Sequence, residues 1–231
     1  MGEALTRPMQ VPNFRNDSVS VAEYRDGAFG QACIRALDVS VSLVLIVALA
    51  PLLALVALMI YVSDPGPIVF GHMRIGRGGK PFRCLKFRSM VTDAQERLAA
   101  LLSSDPVALA EWQRDHKLKK DPRITGIGQF LRQSSLDELP QLFNVLRGEM
   151  SLVGPRPIVS DEVKRYRHYF RDYCEVRPGI TGLWQVGGRN DVSYRRRVAM
   201  DVAYVRSHSF KLNLKILLMT VPSVLKQQGS Y

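Results

Sequence analysis

Residues 39–62 read VSVSLVLIVALAPLLALVALMIYV, an apolar run without a single charge. As a helix rising 1.5 Å per residue it would extend about 36 Å, enough for a bilayer core of roughly 30 Å. So long an uncharged stretch is rare inside a soluble core, and the reading is membrane insertion. Pro51 lies at its middle. It has no N–H to offer the Val47 carbonyl and its ring crowds the preceding turn, which predicts a break near Ala50. Two geometries follow: a kinked crossing, which bilayers tolerate, or a helix-break-helix hairpin that enters and leaves one leaflet. Arg25 and Arg35 precede the run and Arg74 and Arg77 follow it. Basic residues favour the cytoplasmic side, so this near symmetry suits the re-entrant form. Arg35 and Asp38 are expected to pin the entry point at the head groups.

Outward from this run the chain divides into three parts. Residues 1–32 are polar and mixed, without the apolar stretch and cleavage site of a secretory signal, and are expected to be partly disordered. Residues 33–62 form the membrane segment. Residues 63–231 form the cytoplasmic domain, ending in SFKLNLKILLMTVPSVLK, whose lysines beside a wide apolar face suit a helix lying in the membrane interface. After the turn SDPGP, PIVFGHMRIG and PFRCLKFRSM flank GRGGK and predict a β-hairpin. A polar helical stretch is expected from about Thr92 to Lys119. The fold class is therefore helix-rich α+β with one small hairpin.

The 231 residues carry 32 Lys and Arg against 21 Asp and Glu, a net charge of +11. That balance calls for acidic partners: nucleic acid, anionic lipid or phosphorylated small molecules. No RNA-binding aromatic motif or basic recognition helix is present, which argues against nucleic acid. Cys33, Cys84 and Cys174 are widely spaced and expected as reduced, mostly buried thiols, and the four histidines are scattered, so no zinc site is expected. Lys86, Arg88, Arg123, Arg132, Arg156, Arg177 and Arg189 all lie near Gly, Pro or Ser in turns or element ends. Guanidinium forks and turn N–H groups in such places suit phosphate oxygens.

In SSLDELPQL (134–142) two carboxylates adjoin. Two helix-start readings stand open: a capping box from Ser135 to Glu138, or Asp137 itself as the cap with Pro140 third in the helix. Leu139, Leu142, Phe143 and Leu146 then make one apolar face.

KFRSM (86–90), LRQSSLDELPQLFNVLRGEMSLVGPRP (131–157) and PGITGLWQVGGR (178–189), in this order behind a proline-broken apolar helix, resemble the bacterial sugar transferases, the monotopic phosphoglycosyl transferases. The length, GRNDVSY and the ending QGSY look most like the galactosyl-phosphate transferases of exopolysaccharide production (ExoY-type), without the additional N-terminal membrane bundle of larger relatives. The resemblance implies a ping-pong reaction at the cytoplasmic face of the bacterial inner membrane. Asp137 would attack the β-phosphate of a UDP-sugar, release UMP, and pass the sugar phosphate to undecaprenyl phosphate. Galactose 1-phosphate is favoured, with glucose 1-phosphate next. A Mg²⁺ ion is expected, with Glu138 its protein ligand, and Lys86, Arg88, Arg132, Arg156 and Arg189 would bind phosphates. Membrane lipid is the further partner, and the motifs specify no oligomeric state. Three positions depart from the family pattern: Ala50 where a serine often precedes the proline, Asn213 where aspartate is common, and Phe143 where tryptophan is usual. A membrane-anchored binding module and an inactive scaffold of the same fold are the alternative readings. Release of UMP separates them from the enzyme.

Overall fold

The computed structural model describes residues 26–115, 118, 120–187 and 192–225. Residues 1–25 of the polar extension, Arg189 and the QGSY ending lie outside them. The apolar run is two helices, α1 (Ala28–Ala48) and α2 (Ala50–Ser63). The hairpin follows as β1 (Val69–Ile75) and β2 (Pro81–Phe87), then α3 (Ala94–Ser104), α4 (Pro106–Asp115), α5 (Gly126–Ser134) and α6 (Gln141–Arg147). The remainder runs β3 (Ser151–Val153), α7 (Val163–Tyr166), α8 (Phe170–Glu175), β4 (Gly179–Thr181), α9 (Leu183–Gly187), α10 (Tyr194–Arg206) and α11 (Phe210–Leu225). β1 and β2 pair antiparallel, while β3 and β4 form a separate parallel pair. The helix-rich α+β expectation and its hairpin stand.

The break falls at Leu49 (φ −93°, ψ 3°), and Pro51 sits in the first turn of α2, where its missing N–H is tolerated. The Leu49 N–H bonds Leu45 O (2.9 Å), closing α1 ahead of the proline. α1 is long and apolar enough to cross a membrane, with a mean hydropathy of 1.8.

Both outer ends of this helix pair are docked on the same body. On α1, Ile34, Asp38 and Ser42 are buried, and Val41 and Ile46 pack against the core built on Leu142, Val145 and Ile216. On α2, Val56 and Ile60 are buried against Phe87 and Leu131. Burying each such side chain is worth about 1.5–3 kcal/mol against water, so these contacts hold α2 in place. Between the docked ends, Leu43, Val44, Val47 and Leu55 are exposed. α11 likewise exposes Leu214, Leu218, Met219 and Val221.

Arg35 and Asp38 do not face outward as a pair. Arg35 donates through Nη1 to Val145 O (2.6 Å) and through Nη2 to Leu146 O (2.9 Å), the carbonyls at the end of α6. Asp38 Oδ1 accepts from Ser151 Oγ (3.0 Å) and Leu152 N (2.9 Å). A helix C-terminus needs donors and a strand start needs an acceptor, so these charges tie α1 to the domain itself.

The polar helical stretch expected from Thr92 to Lys119 divides at Asp105–Pro106, where Asp105 Oδ1 accepts from the N–H groups of Val107 and Ala108. The three cysteines are free, but contrary to the expectation of mostly buried thiols only Cys84 is buried, Cys33 and Cys174 being half-buried.

Candidate active site

Placement of Lys86 begins with the pleat of β2. Alternation sends Phe82, Cys84 and Lys86 to one face, and Asn144, fully buried on α6, fixes the strand against that helix. Asn144 Oδ1 accepts from Leu85 N (2.9 Å), and its Nδ2 donates to Arg83 O (2.8 Å) and Glu149 Oε2 (2.6 Å). From the other side, the first turn of α5 meets the end of the KFRSM segment. Thr125 caps that turn by accepting from Gly128 N (2.9 Å), and a Cβ on Gly128 would overlap the Ser89 carbonyl. Only glycine lets the two backbones approach this closely.

α5 then ends at Ser135, a non-glycine residue in the left-handed region (φ 58°). A single 3₁₀ turn, Leu136–Glu138, carries the acids into the space beside Lys86. Lys86 Nζ stands 2.7 Å from Glu138 Oε1 and 3.3 Å from Asp137 Oδ2. Asp137 is 8% exposed, and Lys86 is its one hydrogen-bond donor among the described residues.

Neither helix-start reading of this segment holds. Ser135 terminates α5 and makes no side-chain cap. Glu138 turns to Lys86, because an ammonium competes better for a carboxylate than a backbone N–H does. α6 starts only at Gln141, with Pro140 just before it. Its buried residues are Gln141, Leu142, Asn144 and Val145, and Phe143 is exposed.

Burial raises the Asp137 carboxyl above the ordinary aspartate value; Lys86 opposes the shift, and the neighbouring Glu138 charge adds to it. For Lys86, burial favours the neutral amine, but the Glu138 and Asp137 charges outweigh it and raise the lysine. The cluster is one half-buried ammonium holding two adjacent carboxylates, the inner of which is costly to ionise.

The other residues of the predicted site separate into two groups. Arg132, on the last turn of α5, donates through Nε to Ser89 Oγ (2.9 Å), and its charge acts on Asp137. Arg156 is exposed on the loop after β3. It is within electrostatic range of Arg74 and Cys84, the latter also in range of Lys86 and Glu138. Arg88 is turned away: Nη2 donates to the Asp64 carbonyl and lies 3.4 Å from Asp64 Oδ2, at the end of α2. Arg123 pairs with Asp121 (2.6 Å) and stacks over Trp112, and Arg177 donates to Gly148 O. Arg189 lies outside the described residues.

Sequence reasoning missed Arg74 and Asn144. Arg74 faces Phe82 across the hairpin, on the Lys86 side. It donates to Pro157 O (3.4 Å) and lies 3.8 Å from Glu162 Oε2, bracing the loop that carries Arg156. The strand alternation was the available signal; the register needed to use it was not.

A divalent ion fits the donor set in one way. No group of three or more His, Cys, Asp or Glu side chains converges among the described residues, so a protein-only cage is absent from them. Mg²⁺ ordinarily takes one or two carboxylates and completes its shell with substrate phosphates and water. Asp137 and Glu138 already converge on a cation, the Lys86 ammonium, and offer that minimal set.

The family model for bacterial sugar transferases matches residues 29–227. The chain is 52% identical over 202 residues to an undecaprenyl-phosphate galactose phosphotransferase of Salmonella typhimurium, covering 85% of this chain and 41% of that protein. It is 48% identical to the exopolysaccharide production protein ExoY of Sinorhizobium fredii, covering 85% of this chain and 87% of the relative. A UDP-glucose:undecaprenyl-phosphate glucose-1-phosphate transferase of Caulobacter vibrioides is 42% identical, over 85% of this chain and 71% of its own length. The chain thus spans about two fifths of the Salmonella relative and most of the ExoY protein. A match that runs from the start of α1 to the end of α11 takes in every element that builds the Lys86 cluster, and this chain belongs to the bacterial sugar transferase family.

Proposed function

We propose that this chain moves a hexose 1-phosphate, galactose 1-phosphate before glucose 1-phosphate, from a UDP-sugar to undecaprenyl phosphate, the first step of assembling an exopolysaccharide repeat unit. The observation that carries the reading is Asp137, a buried carboxylate that has no backbone donor among the described residues and is held by one lysine at the tip of a 3₁₀ turn. An Asp137 oxygen attacks the β-phosphorus of the UDP-sugar, the bond from that phosphorus to the bridging oxygen breaks, and UMP leaves. The sugar phosphate is then an acyl phosphate on Asp137. A phosphate oxygen of undecaprenyl phosphate attacks the same phosphorus and frees the carboxylate. A mixed anhydride is a good donor, so the second step is not uphill from the first.

Lys86 keeps Asp137 within reach of ionisation and offers its ammonium to the diphosphate as the acids engage. Arg132 and Arg156 supply further positive charge at the sides. Glu138, with diphosphate oxygens, would hold Mg²⁺, which supplies charge neutralisation during phosphoryl transfer.

The membrane reading belongs to the same proposal. Residues 33–62 form a re-entrant segment, and residues 63–231 form the catalytic body at the cytoplasmic face of the inner membrane. Docking of both α1 and α2 on one body supports it, since a straight crossing would carry one end away. Exposed apolar side chains between the docked ends and along α11 supply the lipid-facing surface. A cysteine placed near position 20, with Cys33, Cys84 and Cys174 removed, should stay unlabelled by an impermeant thiol reagent in cells with an intact inner membrane. Labelling would mean the helix spans.

The enzymatic test is release of UMP from UDP-galactose, UDP-glucose and UDP-N-acetylhexosamines by the purified chain in detergent. Multiple turnovers should require both undecaprenyl phosphate and Mg²⁺. Preference for an N-acetylated sugar would refute the hexose assignment, and absence of UMP with every donor would refute the transferase reading.

A further inference from the structure

The hairpin side of the Lys86 cluster carries two exposed side chains, Phe70 and His72 of β1. In the register of the pair, Phe70 stands opposite Lys86 and His72 opposite Cys84. Opposed residues share a face, with their Cβ atoms about 4.5–5.5 Å apart. Phe70 is therefore the immediate neighbour, across the strands, of the lysine that holds Asp137 and Glu138. The His72 ring lies on the same face, its centroid 6.2 Å from that of Phe70 and its plane tilted by 47°. Partial burial, then the Arg74 charge and more weakly that of Lys86, lower its imidazole below the ordinary value, and a hydrogen bond with the Met73 backbone opposes them. At pH 7 the ring is neutral, and the nitrogen not engaged at Met73 is an acceptor. An aromatic ring 55% exposed thus stands beside a hydrogen-bonding ring at the flank of the acids.

In-line displacement sets the attacking Asp137 oxygen and the departing UMP oxygen roughly opposite one another, and the acceptor enters where UMP left. The hexose oxygen stays bonded to phosphorus throughout and projects to the side of that axis. A polyprenyl tail would be matched by an apolar neighbour at position 72. A pyranose, with C–H faces and hydroxyls, is matched by an aromatic ring and an acceptor side by side. In galactose the axial hydroxyl leaves one face of the ring barer of oxygen than in glucose, which suits a phenyl ring. We propose that Phe70 and His72 form the wall that holds the donor hexose, Phe70 stacked on its apolar face and His72 accepting from one of its hydroxyls, and that this wall favours galactose over glucose. The assignment deepens the transferase reading and rests on it.

The test is the kinetics of UMP release by the full chain in detergent, with UDP-galactose and UDP-glucose as donors and undecaprenyl phosphate as acceptor. Phe70→Leu should lower kcat/KM for UDP-galactose about threefold to tenfold, the range of one lost aromatic contact, and lower it less for UDP-glucose, narrowing the preference. His72→Ala should lower kcat/KM for both donors about tenfold, and His72→Gln, whose amide oxygen also accepts, should recover most of the loss. Met73→Ala, on the opposite face of β1, should leave the ratio between donors unchanged. The affinity for UMP, measured by calorimetry, should stay at the parent value in every variant, which a misfolded or damaged nucleotide site would not allow. Farnesyl phosphate in place of undecaprenyl phosphate should cost the parent and Phe70→Leu the same factor. An unchanged donor ratio in Phe70→Leu, or His72→Gln no better than His72→Ala, would overturn the proposal. So would weakened UMP binding, which would move the pair to the nucleoside, or a Phe70→Leu enzyme indifferent to tail length, which would move Phe70 to the acceptor. If the parent releases no UMP from any donor, the transferase reading fails and the wall with it; if the parent turns over and the variants keep its donor ratio, the wall alone fails.

Discussion

Asp137 and Asp38 are both buried aspartates with basic residues near, yet the fold holds them in opposite ways. Asp38 receives a backbone N–H and a hydroxyl on one oxygen, so it is part of the scaffold that fixes α1 to the start of β3. Among the described residues, Asp137 receives no backbone donor and one lysine contact at 3.3 Å. An acid tied to a backbone N–H and a buried hydroxyl cannot move onto a phosphorus without breaking the fold; an acid held by one lysine side chain can. In the proposed mechanism, what marks the attacking carboxylate is therefore what does not hold it.

The largest effect that follows is on Asp137→Asn, which should lower turnover by a factor on the order of 10³ or more, because the shape remains and the nucleophile is gone. The melting temperature should not fall. A carboxyl whose folded pKa is raised binds its proton more tightly when folded, so at neutral pH its ionised form is a cost to the fold that the amide removes. A variant that is inactive only because it unfolds would erase the contrast with Asp38.

Next in size is the pair Lys86 and Arg88, two positions apart. Lys86→Gln should reduce the rate of UMP release by about 10²-fold, in the range of one preorganised electrostatic contact. Arg88→Gln should change it only a few-fold and lower the melting temperature, since its guanidinium holds Asp64 at the end of α2. Equal rate losses in the two variants would place Arg88 in the site after all.

Asp38→Ala should cost about 2–4 kcal/mol of stability by orphaning the Ser151 hydroxyl and the Leu152 N–H, visible as a lower melting temperature. Activity per folded molecule should remain within about threefold of the parent.

The smallest effect is on the pH profile. Single-turnover release of UMP should fall as pH drops through the Asp137 pKa, tenfold per unit below it. That midpoint should lie above the 3.8 of an ordinary aspartate, because burial disfavours the ionised form. Lys86→Gln should move it higher still, having removed the charge that opposes the shift. A downward move would mean that Lys86 does not stabilise the ionised acid.

Much of the architecture was legible because its causes are local. The break in the apolar run follows from the N–H that Pro51 lacks, and the hairpin from two alternating segments around GRGGK. The division of the polar helix at Asp105–Pro106 was equally local, since the residue before a proline is biased away from the helix, yet it went unread. The acid turn was misread for a tertiary reason. Ser135 and Glu138 have capping-box spacing, but the box loses to an ammonium delivered from Lys86, some 50 positions earlier in the chain. Lys86 and Arg88 looked alike in KFRSM, and only the end of β2 at Phe87 separates the one that faces the acids from the one that faces Asp64. The β3–β4 pair, three residues on each strand, is too short to announce itself by periodicity.

The identity of Asp137 as the nucleophile is tested most directly by trapping. The purified chain would be mixed with Mg²⁺ and UDP-galactose labelled in the sugar, without undecaprenyl phosphate, then quenched and digested for mass spectrometry. The account predicts a hexose phosphate on the peptide containing Asp137, released as undecaprenyl-diphosphate-galactose when the acceptor is added and absent from Asp137→Asn. A labelled adduct on another residue, or the same labelling in Asp137→Asn, would contradict it.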